Sequence, residues 1–372
     1  MKIIAEIGTS HGGNLQKAKE LIDVAVESGA DFVKFQWVYA SEILHPNTGF
    51  VQLPTGKIPL FNRFKELEVR PDFFRECLEY THQKGAQFLC SPFGTKSLEE
   101  LLSINPDAIK IASPELNHIP LLQKLADFRK THDIPVIISS GVSKLSDIEE
   151  AVSTLGRKNL TLLHCITSYP APEEEYNLRL IPNLSAIFGI PCGVSDHSLD
   201  PILVPSVAAA VGGTIIEKHI TLSKETDGLD DPVALTGEQF ALMSHCVHQC
   251  EAAFRQYGPN ADSYILNQLK DEYGERIEKI LGNGVKTLAP AEAANYGRTN
   301  RSLHFMRSLN AGDVISAEDI GVLRTEKKLS VGIHPRFLES IIGSRLARAV
   351  ADGAGVQWED VIASFPTQNT CK

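Results

Sequence analysis

Residues 189–221 read GIPCGVSDHSLDPILVPSVAAAVGGTIIEKHIT. They hold one complete strand–helix–strand unit. The apolar run 189–195 has the length of a buried strand, and 214–219 is a second. Between them, 200–211 carries apolar residues at helical spacing. Asp200-Pro201 opens it in the order of a cap followed by a first-turn proline. The polar residues gather at the C-terminal ends of the two strands. These are Ser195, Asp196 and His197 on the first, and Glu217, Lys218 and His219 on the second.

The same unit recurs upstream. Short apolar runs occur at 2–7, 31–36, 86–90, 108–112, 135–139 and 160–165. Helical periodicity fills 14–29, 71–84, 95–104, 118–131, 145–156, 177–188 and 236–256. Asn14 and Ser146 can cap helix starts, and Gly29, Gly85 and Gly156 stand where helices should stop. Eight β/α units in about 260 residues predict an α/β fold, a (β/α)8 TIM barrel spanning 1–285. A doubly wound open sheet is the alternative, but Gly8, Gly12 and Gly13 do not form its nucleotide loop. The insertion 37–70 holds prolines and aromatics and reads as an ordered lid or wall, not a linker. Residues 286–300 read as a linker to a small domain at 301–366. Within that domain, LNAGDVISAEDI (309–320) and ADGAGVQWEDV (351–361) look like an internal repeat, each a turn followed by a capped helix.

The bulk properties limit the function. With 372 residues, 43% hydrophobic and 22% charged, the chain is globular and not disordered. A net charge of −10 argues against nucleic-acid and anionic-membrane partners. A local group of cations can still hold a small anion. Neither a membrane span nor a signal peptide is evident. Seven cysteines without paired spacing suit reduced thiols, so the expected location is cytoplasmic.

Barrel chemistry sits at the C-terminal strand ends. Those ends carry Glu6; Lys34 and Gln36; Ser91; Lys110, Ser113 and Glu115; Ser139 and Ser140; and His164, Thr167 and Tyr169. The two strand ends already described complete the ring. Side chains alternate along a strand, so His197 and His219, on neighbouring strands, can meet at one mouth. Two histidines with open positions suit a first-row divalent metal, and Asp196 or Glu217 could orient an imidazole. The competing reading is that each histidine caps its own strand. Lys34 and Lys110 with Ser91, Ser113 and Ser139 read as an anion pocket. Alternatively, Lys110 forms a Schiff base as in an aldolase, or Lys34 simply pairs with Glu6. His245, Cys246, His248 and Cys250 lie on the last barrel helix, away from the mouth.

Several blocks, in order, resemble the sialic acid (N-acetylneuraminate) synthase family. They are Glu6-Ile7-Gly8-x-x-His11-x-Gly13, Val33-Lys34-x-Gln36, Ser91-Pro92-Phe93, Lys110-Ile111-Ala112-Ser113, Ser139-Ser140-Gly141 and Leu163-His164-Cys165. Tyr169-Pro170, Ser195-Asp196-His197 and Glu217-Lys218-His219-Ile220-Thr221 complete the set. The last domain resembles the family's antifreeze-like (SAF) module. The resemblance implies condensation of phosphoenolpyruvate with the open-chain aldehyde of an N-acylated amino sugar. The products would be a nine-carbon 2-keto-3-deoxy sugar acid and phosphate. His197 and His219 would bind Mn2+, or Mg2+ or Co2+, as a Lewis acid.

The resemblance also implies that Lys34, Gln36, Ser91, Lys110, Ser113, Ser139, Thr167 and Ser195 hold phosphoenolpyruvate, and that Phe93 binds substrate. Glu6 and Glu217 would join the histidines in catalysis, and Tyr169 and Asp230 would contact the sugar. Arg324 would reach across a domain-swapped homodimer to the partner's substrate. The chain departs from the family pattern at Ser10, where asparagine is usual. It departs again at Gly228-Leu229-Asp230-Asp231 for Gly-Pro-Asp-His, and at Arg324-Thr325-Glu326 for Arg-Pro-Gly. The acceptor is expected to be N-acetylmannosamine or a diacetamido-trideoxyhexose. A Schiff-base lyase and a non-catalytic carbohydrate-binding protein are the rival readings.

Overall fold

The computed structural model describes residues 1–53, 56–225, 228–326 and 328–361. In chain order the strands are β1 (Lys2–Gly8), β2 (Phe32–Trp37), β3 (Phe50–Leu53), β4 (Gly56–Pro59), β5 (Gln87–Pro92), β6 (Ala108–Ile111), β7 (Val136–Ser139), β8 (Leu160–Cys165), β9 (Cys192–Asp196), β10 (Ile215–His219), β11 (Arg301–Phe305) and β12 (Ile320–Arg324). Eight of them close a parallel barrel in the order β1-β10-β9-β8-β7-β6-β5-β2. Closure sets Glu6 of β1 opposite both Lys34 of β2 and His219 of β10.

The period of two sorts each strand into an outer and an inner set. Outward residues such as Ile3, Ala5, Val33, Phe35, Phe88, Ile109, Ile138, Leu162, Val194 and Ile216 form the core beneath the helices. Inward residues Ile4, Leu89, Ala108, Ile137, Leu163 and Ile215 plug the lumen, with Phe32 against them. Gly193 belongs to this inner set, and a Cβ there would stand 2.1 Å from the Ile215 carbonyl oxygen. Two residues further along each strand, the inner positions turn polar.

Local signals explain some helix ends. Asn14 Oδ1 accepts from Lys17 N–H at the start of Leu15–Glu27. Asp200 Oδ1 accepts from Ile202 and Leu203 N–H, but the helix runs Leu203–Ala210 after Ile202, so Asp200 is not its cap residue and Pro201 is not its first residue. Ser146 is not the cap of its helix. Leu145–Leu155 starts after Lys144, whose N–H donates to Asp147 Oδ2 at 2.8 Å. The insertion forms two short helices, Ala40–Ile43 and Leu60–Lys65, around the β3–β4 hairpin, whose Pro54-Thr55 tip lies outside the described residues. Val38, Ile43, Leu44, Leu67 and Phe93 pack together and fix this segment to the rim.

The stretch expected as a linker is instead docked on the barrel. Lys286 Nζ donates to Ser140 O at 3.2 Å. Glu292 is buried and takes Val142 N–H and Thr167 N–H, each at 2.8 Å. Asn300 Nδ2 donates to Val142 O. Its small residues let the chain lie flat across the ends of β7 and β8.

The small domain has its own core of Leu303, Phe305, Leu309, Ile315, Ile320, Ile341, Leu346 and Val356. Its expected end at 366 lies outside the described residues. The internal repeat is visible in its ion pairs. Arg307 donates to Asp319 and Arg348 to Asp360, both at 2.6 Å and both twelve residues apart. Each aspartate also caps its own turn, through Ser316 N–H and Gln357 N–H. The first repeat's expected helix is only a 3-10 turn, Ala317–Asp319, because the chain enters β12 at once.

Glu115 holds this domain to the barrel. Its Oε1 takes Arg301 Nη2 at 2.9 Å and Arg324 Nη2 at 2.7 Å. Arg301 is fully buried and also donates to the carbonyls of Glu42 and Phe93. Around the edge, Arg336 pairs with Glu150 and His45 with Asp352. Among the described residues no helix is long and apolar enough to cross a membrane.

Removing one partner from a buried charge cluster is costly, because the others stay buried. Glu115→Ala should therefore destabilise the chain by about 3–5 kcal/mol. Limited proteolysis should then release residues after 282 sooner than in the parent protein.

Burial holds three imidazoles neutral. His164 is held down to about 3, by burial and the nearby Lys286 charge, and His11 and His304 to about 4, chiefly by burial. An unfolded chain protonates them near 6.5 while the folded one does not. Their contribution is complete above pH 6.5 and is lost as pH falls toward 4 and then 3. At pH 5 each should cost about 2 kcal/mol. Urea midpoints between pH 7 and 5 for the parent protein and His304→Gln should show that much less acid loss in the variant.

Candidate active site

Above the apolar plug, the next inner positions are Glu6, Lys34, Ser91, Lys110, Ser139, Cys165, Ser195 and Glu217, all buried. Glu217 stands at their centre. Lys34 Nζ lies 2.9 Å from its Oε2. Lys110 Nζ and Ser195 Oγ each donate to its Oε1 at 2.9 Å. Lys34 also pairs with Glu6 at 3.4 Å, and Gln36 Nε2 donates to Glu6 Oε1 at 2.6 Å. The pairing of Lys34 with Glu6 and the anion pocket are thus the same set of residues.

The two carboxyl groups differ. Burial raises Glu6, and Lys34 only partly offsets it while Glu217 adds to it. Burial acts the same way on Glu217, but Lys110 and Lys34 together outweigh it and hold Glu217 well below the usual carboxylate range. Burial also lowers Lys110, whereas the two carboxylates outweigh burial at Lys34 and raise it. A pair of carboxyls driven apart in this way separates a fixed charge from a proton carrier.

The hydroxyls of Ser91, Ser139 and Thr167 are buried without a hydrogen-bond partner among the described residues. Such groups are ordinarily satisfied by water, an ion or a ligand. Gly141 makes room among them, since a Cβ there would stand 2.1 Å from Thr167 Oγ1 and 2.8 Å from Ser113 Oγ. Ser113 Oγ accepts Gly141 N–H at 3.0 Å.

His197 and His219 meet at the mouth with ring centres 5.4 Å apart. His197 Nδ1 donates to Ile166 O at 2.8 Å, which leaves Nε2 with its lone pair. Burial, His197 and Lys34 hold His219 well below its ordinary value, and therefore neutral. Asp230 Oδ2 lies 3.7 Å from His219 Nδ1. Tyr169 lies over His197, ring centres 4.2 Å apart, and is half exposed. Burial lowers His197, but Cys165 and the Ile166 carbonyl outweigh it and raise it. With that proton given up, the two imidazoles in this arrangement fit a divalent ion whose other positions go to substrate and water. Among the described residues no group of three or more His, Cys, Asp or Glu could hold a metal by itself.

Some expectations need correction. Neither Asp196 nor Glu217 orients an imidazole. Asp196 points outward and holds Lys218 and Ser198, because it is one residue out of phase with His197. The Ile166 carbonyl takes that part for His197. Phe93 and Arg324 are not in the lumen. Phe93 lies in the rim cluster, with the Arg324 guanidinium 5.5 Å from its ring centre. Within the single chain, Arg324 is bound to Glu115. Sequence reasoning also missed Lys286 and Glu292. Their only signal was two charges in a stretch of small residues.

Comparison with known proteins gives the same picture over nearly the whole chain. The spore coat polysaccharide biosynthesis protein SpsE of Bacillus subtilis is 33% identical over 97% of this chain and 93% of its own. Its crystal structure superposes with a TM-score of 0.81 at 32% identity, covering 98% of this chain and 96% of that one. The N,N'-diacetyllegionaminic acid synthase of Legionella pneumophila is 31% identical over 97% of this chain and 94% of its own. An N-acetylneuraminic acid synthetase from Leptospira borgpetersenii, crystallised with citrate, gives a TM-score of 0.60 at 31% identity, over 79% of this chain and 89% of that one. Residues 300–362 match the SAF domain, and residues 21–257 match the NeuB family. The chain belongs to the NeuB family.

Proposed function

We propose that the protein joins phosphoenolpyruvate to the aldehyde of an N-acylated amino sugar and releases phosphate. The product is a nine-carbon 2-keto-3-deoxy sugar acid. The observation that carries this reading is the convergence of Lys34, Lys110 and three unpartnered hydroxyls beneath two histidines. The synthase names of the relatives support it.

Lys34 and Lys110 seat the anionic groups of phosphoenolpyruvate, with Ser91, Ser139, Thr167 and Ser195 completing the hydrogen bonds. Lys286, at the Ser140 carbonyl, adds a further cation at that end. The enol carbon bonds to the aldehyde carbon, and positive character develops at C2. Glu217, kept ionised, stabilises that charge. Glu6, whose proton affinity is raised, handles the proton at the new hydroxyl. Water adds at C2 as its two protons pass, one to the new hydroxyl and one to the departing phosphate, whose bond to C2 breaks with the electron pair leaving on oxygen. A divalent ion, Mn2+ first, held by His197 and His219, would polarise the aldehyde. Tyr169 and Asp230 face the sugar, which is N-acetylmannosamine or a diacetamido-trideoxyhexose.

Phosphate release from phosphoenolpyruvate should require both Mn2+ and such a sugar, and EDTA should abolish it. His219→Ala should lose at least about 100-fold in kcat and lose Mn2+ binding in equilibrium dialysis, with its circular dichroism unchanged. Labelling of Lys110 by borohydride and pyruvate, with EDTA-resistant turnover, would replace this reading with the Schiff-base one.

The homodimer in which small domains are exchanged belongs to the same proposal. Residues Gly282, Asn283 and Gly284 precede the docked segment, and both glycines have positive φ, 62° and 75°. A crossing there would remake the Glu115 joint with the partner's Arg324. Light scattering should give twice the chain mass, and mixed Glu115→Ala and Arg324→Ala chains should recover about a quarter of the sites by complementation. Fully inactive mixtures would mean that each chain caps its own barrel.

A further inference from the structure

We infer that Glu292 is a positioning residue for phosphoenolpyruvate. It holds the turn after β7 and the loop after β8 in the form that receives the anion. This rests on the condensation reading above and adds to that seat a residue from the segment that leads to the small domain.

The turn Ser140-Gly141-Val142 is strained. Val142 has a φ of 44° and is fully buried. Among the described residues, the other non-glycine residues with positive φ are Asn105, Asn159, Asn177 and Glu326, so Val142 is the one β-branched residue there. A β-branched side chain in that region is costly and persists only where its surroundings over-determine it. The docked segment supplies those surroundings. Lys286 Nζ donates to Ser140 O at 3.2 Å, Glu292 Oε2 accepts Val142 N–H at 2.8 Å, and Asn300 Nδ2 donates to Val142 O at 3.0 Å.

The same oxygen of Glu292 accepts Thr167 N–H at 2.8 Å. One buried atom therefore ties the turn after β7 to the loop after β8. The two meet at the anion pocket. Thr167 Oγ1 is one of the unpartnered hydroxyls, and a Cβ at Gly141 would stand 2.1 Å from it and 3.2 Å from Cys165 Sγ in the inner layer. Glu292 thus acts through the backbone that carries these groups. Its own place is set by the short helix Pro290–Ala293, where Glu292 Oε1 accepts Ala289 N–H at 3.4 Å.

The test sets Glu292→Ala against Glu292→Gln, which keeps an acceptor oxygen. In calorimetry with Mn2+ present, Glu292→Ala should weaken phosphoenolpyruvate binding at least about tenfold, because two buried N–H groups lose their acceptor. Glu292→Gln should stay within about threefold of the parent protein. Mn2+ binding in equilibrium dialysis should change less than about twofold in either variant. Hydrogen exchange on the parent protein needs no variant. Phosphoenolpyruvate should slow exchange around Val142 and Thr167 and across 286–300 together, since a ligand stabilises the groups that favour its binding. Unchanged affinity in Glu292→Ala, equal loss in Glu292→Gln, loss of Mn2+ binding alongside, or exchange across 286–300 indifferent to the ligand would each overturn the inference and leave the condensation standing. No binding of phosphoenolpyruvate to the parent protein would overturn the condensation reading, and this inference with it.

Discussion

Two ammonium groups buried in a barrel lumen can persist only if negative charge is fixed beside them. In this protein Lys34 and Lys110 are balanced by Glu217 and Glu6, within one layer of the barrel. Desolvating four charges is expensive, and the mutual attraction offsets it only with close geometry. That geometry comes from strand register. Glu6 faces Lys34 because β1 pairs with β2, and Glu217 faces Ser195 because β10 pairs with β9. A slip of one residue would turn the charges into the helical layer and the aliphatic outer set into the lumen. The charge layer therefore both depends on barrel closure and selects its register.

The same balance prepares the layer for an anion. Glu217 holds the two lysines where an incoming phosphate or carboxylate would need them. The unpartnered hydroxyls of Ser91, Ser139 and Thr167 mark what the protein's own groups leave unsatisfied. A ligand that brings oxygen atoms to all five groups gains hydrogen bonds that this chain does not itself supply, which is a strong reason for it to be preferred over water. Preorganised donors of this kind need no rearrangement when charge develops.

Much of this was legible in the residues. Eight apolar runs ending in polar groups gave the barrel, and the period of two put Lys34 with Gln36, Ser195 with His197 and Glu217 with His219 on common faces. What failed had specific causes. Asp196 was matched with an imidazole by proximity in sequence, although its odd phase turns it out to Lys218. Residues 286–300 looked like a linker because small residues and Pro290 are common in linkers. The same composition lets a chain pack closely, and only tertiary contacts such as Glu292 with Val142 and Thr167 separate the two. The Arg324 contact depends on where a whole domain sits, which no local pattern encodes.

The departures from the family pattern become intelligible as pairs. Ser10 stands where asparagine is usual and Asp231 where histidine is usual, and the two are bonded, Ser10 Oγ donating to Asp231 Oδ1 at 2.6 Å. This bond ties the loop after β10 to the loop after β1. At the third site the family's glycine is Glu326, which keeps a φ of 53°. That region costs a residue with a Cβ about 1–2 kcal/mol. The cost is offset where Arg298 O accepts both Thr325 and Glu326 N–H, and where Arg298 Nε donates back to Glu326 O. The turn thus holds a left-handed residue, and Arg324 is aimed at Glu115. The changes fall outside the charged layer, and each is absorbed locally. The charged floor, where the chemistry common to such sugars would take place, is left as the barrel register requires.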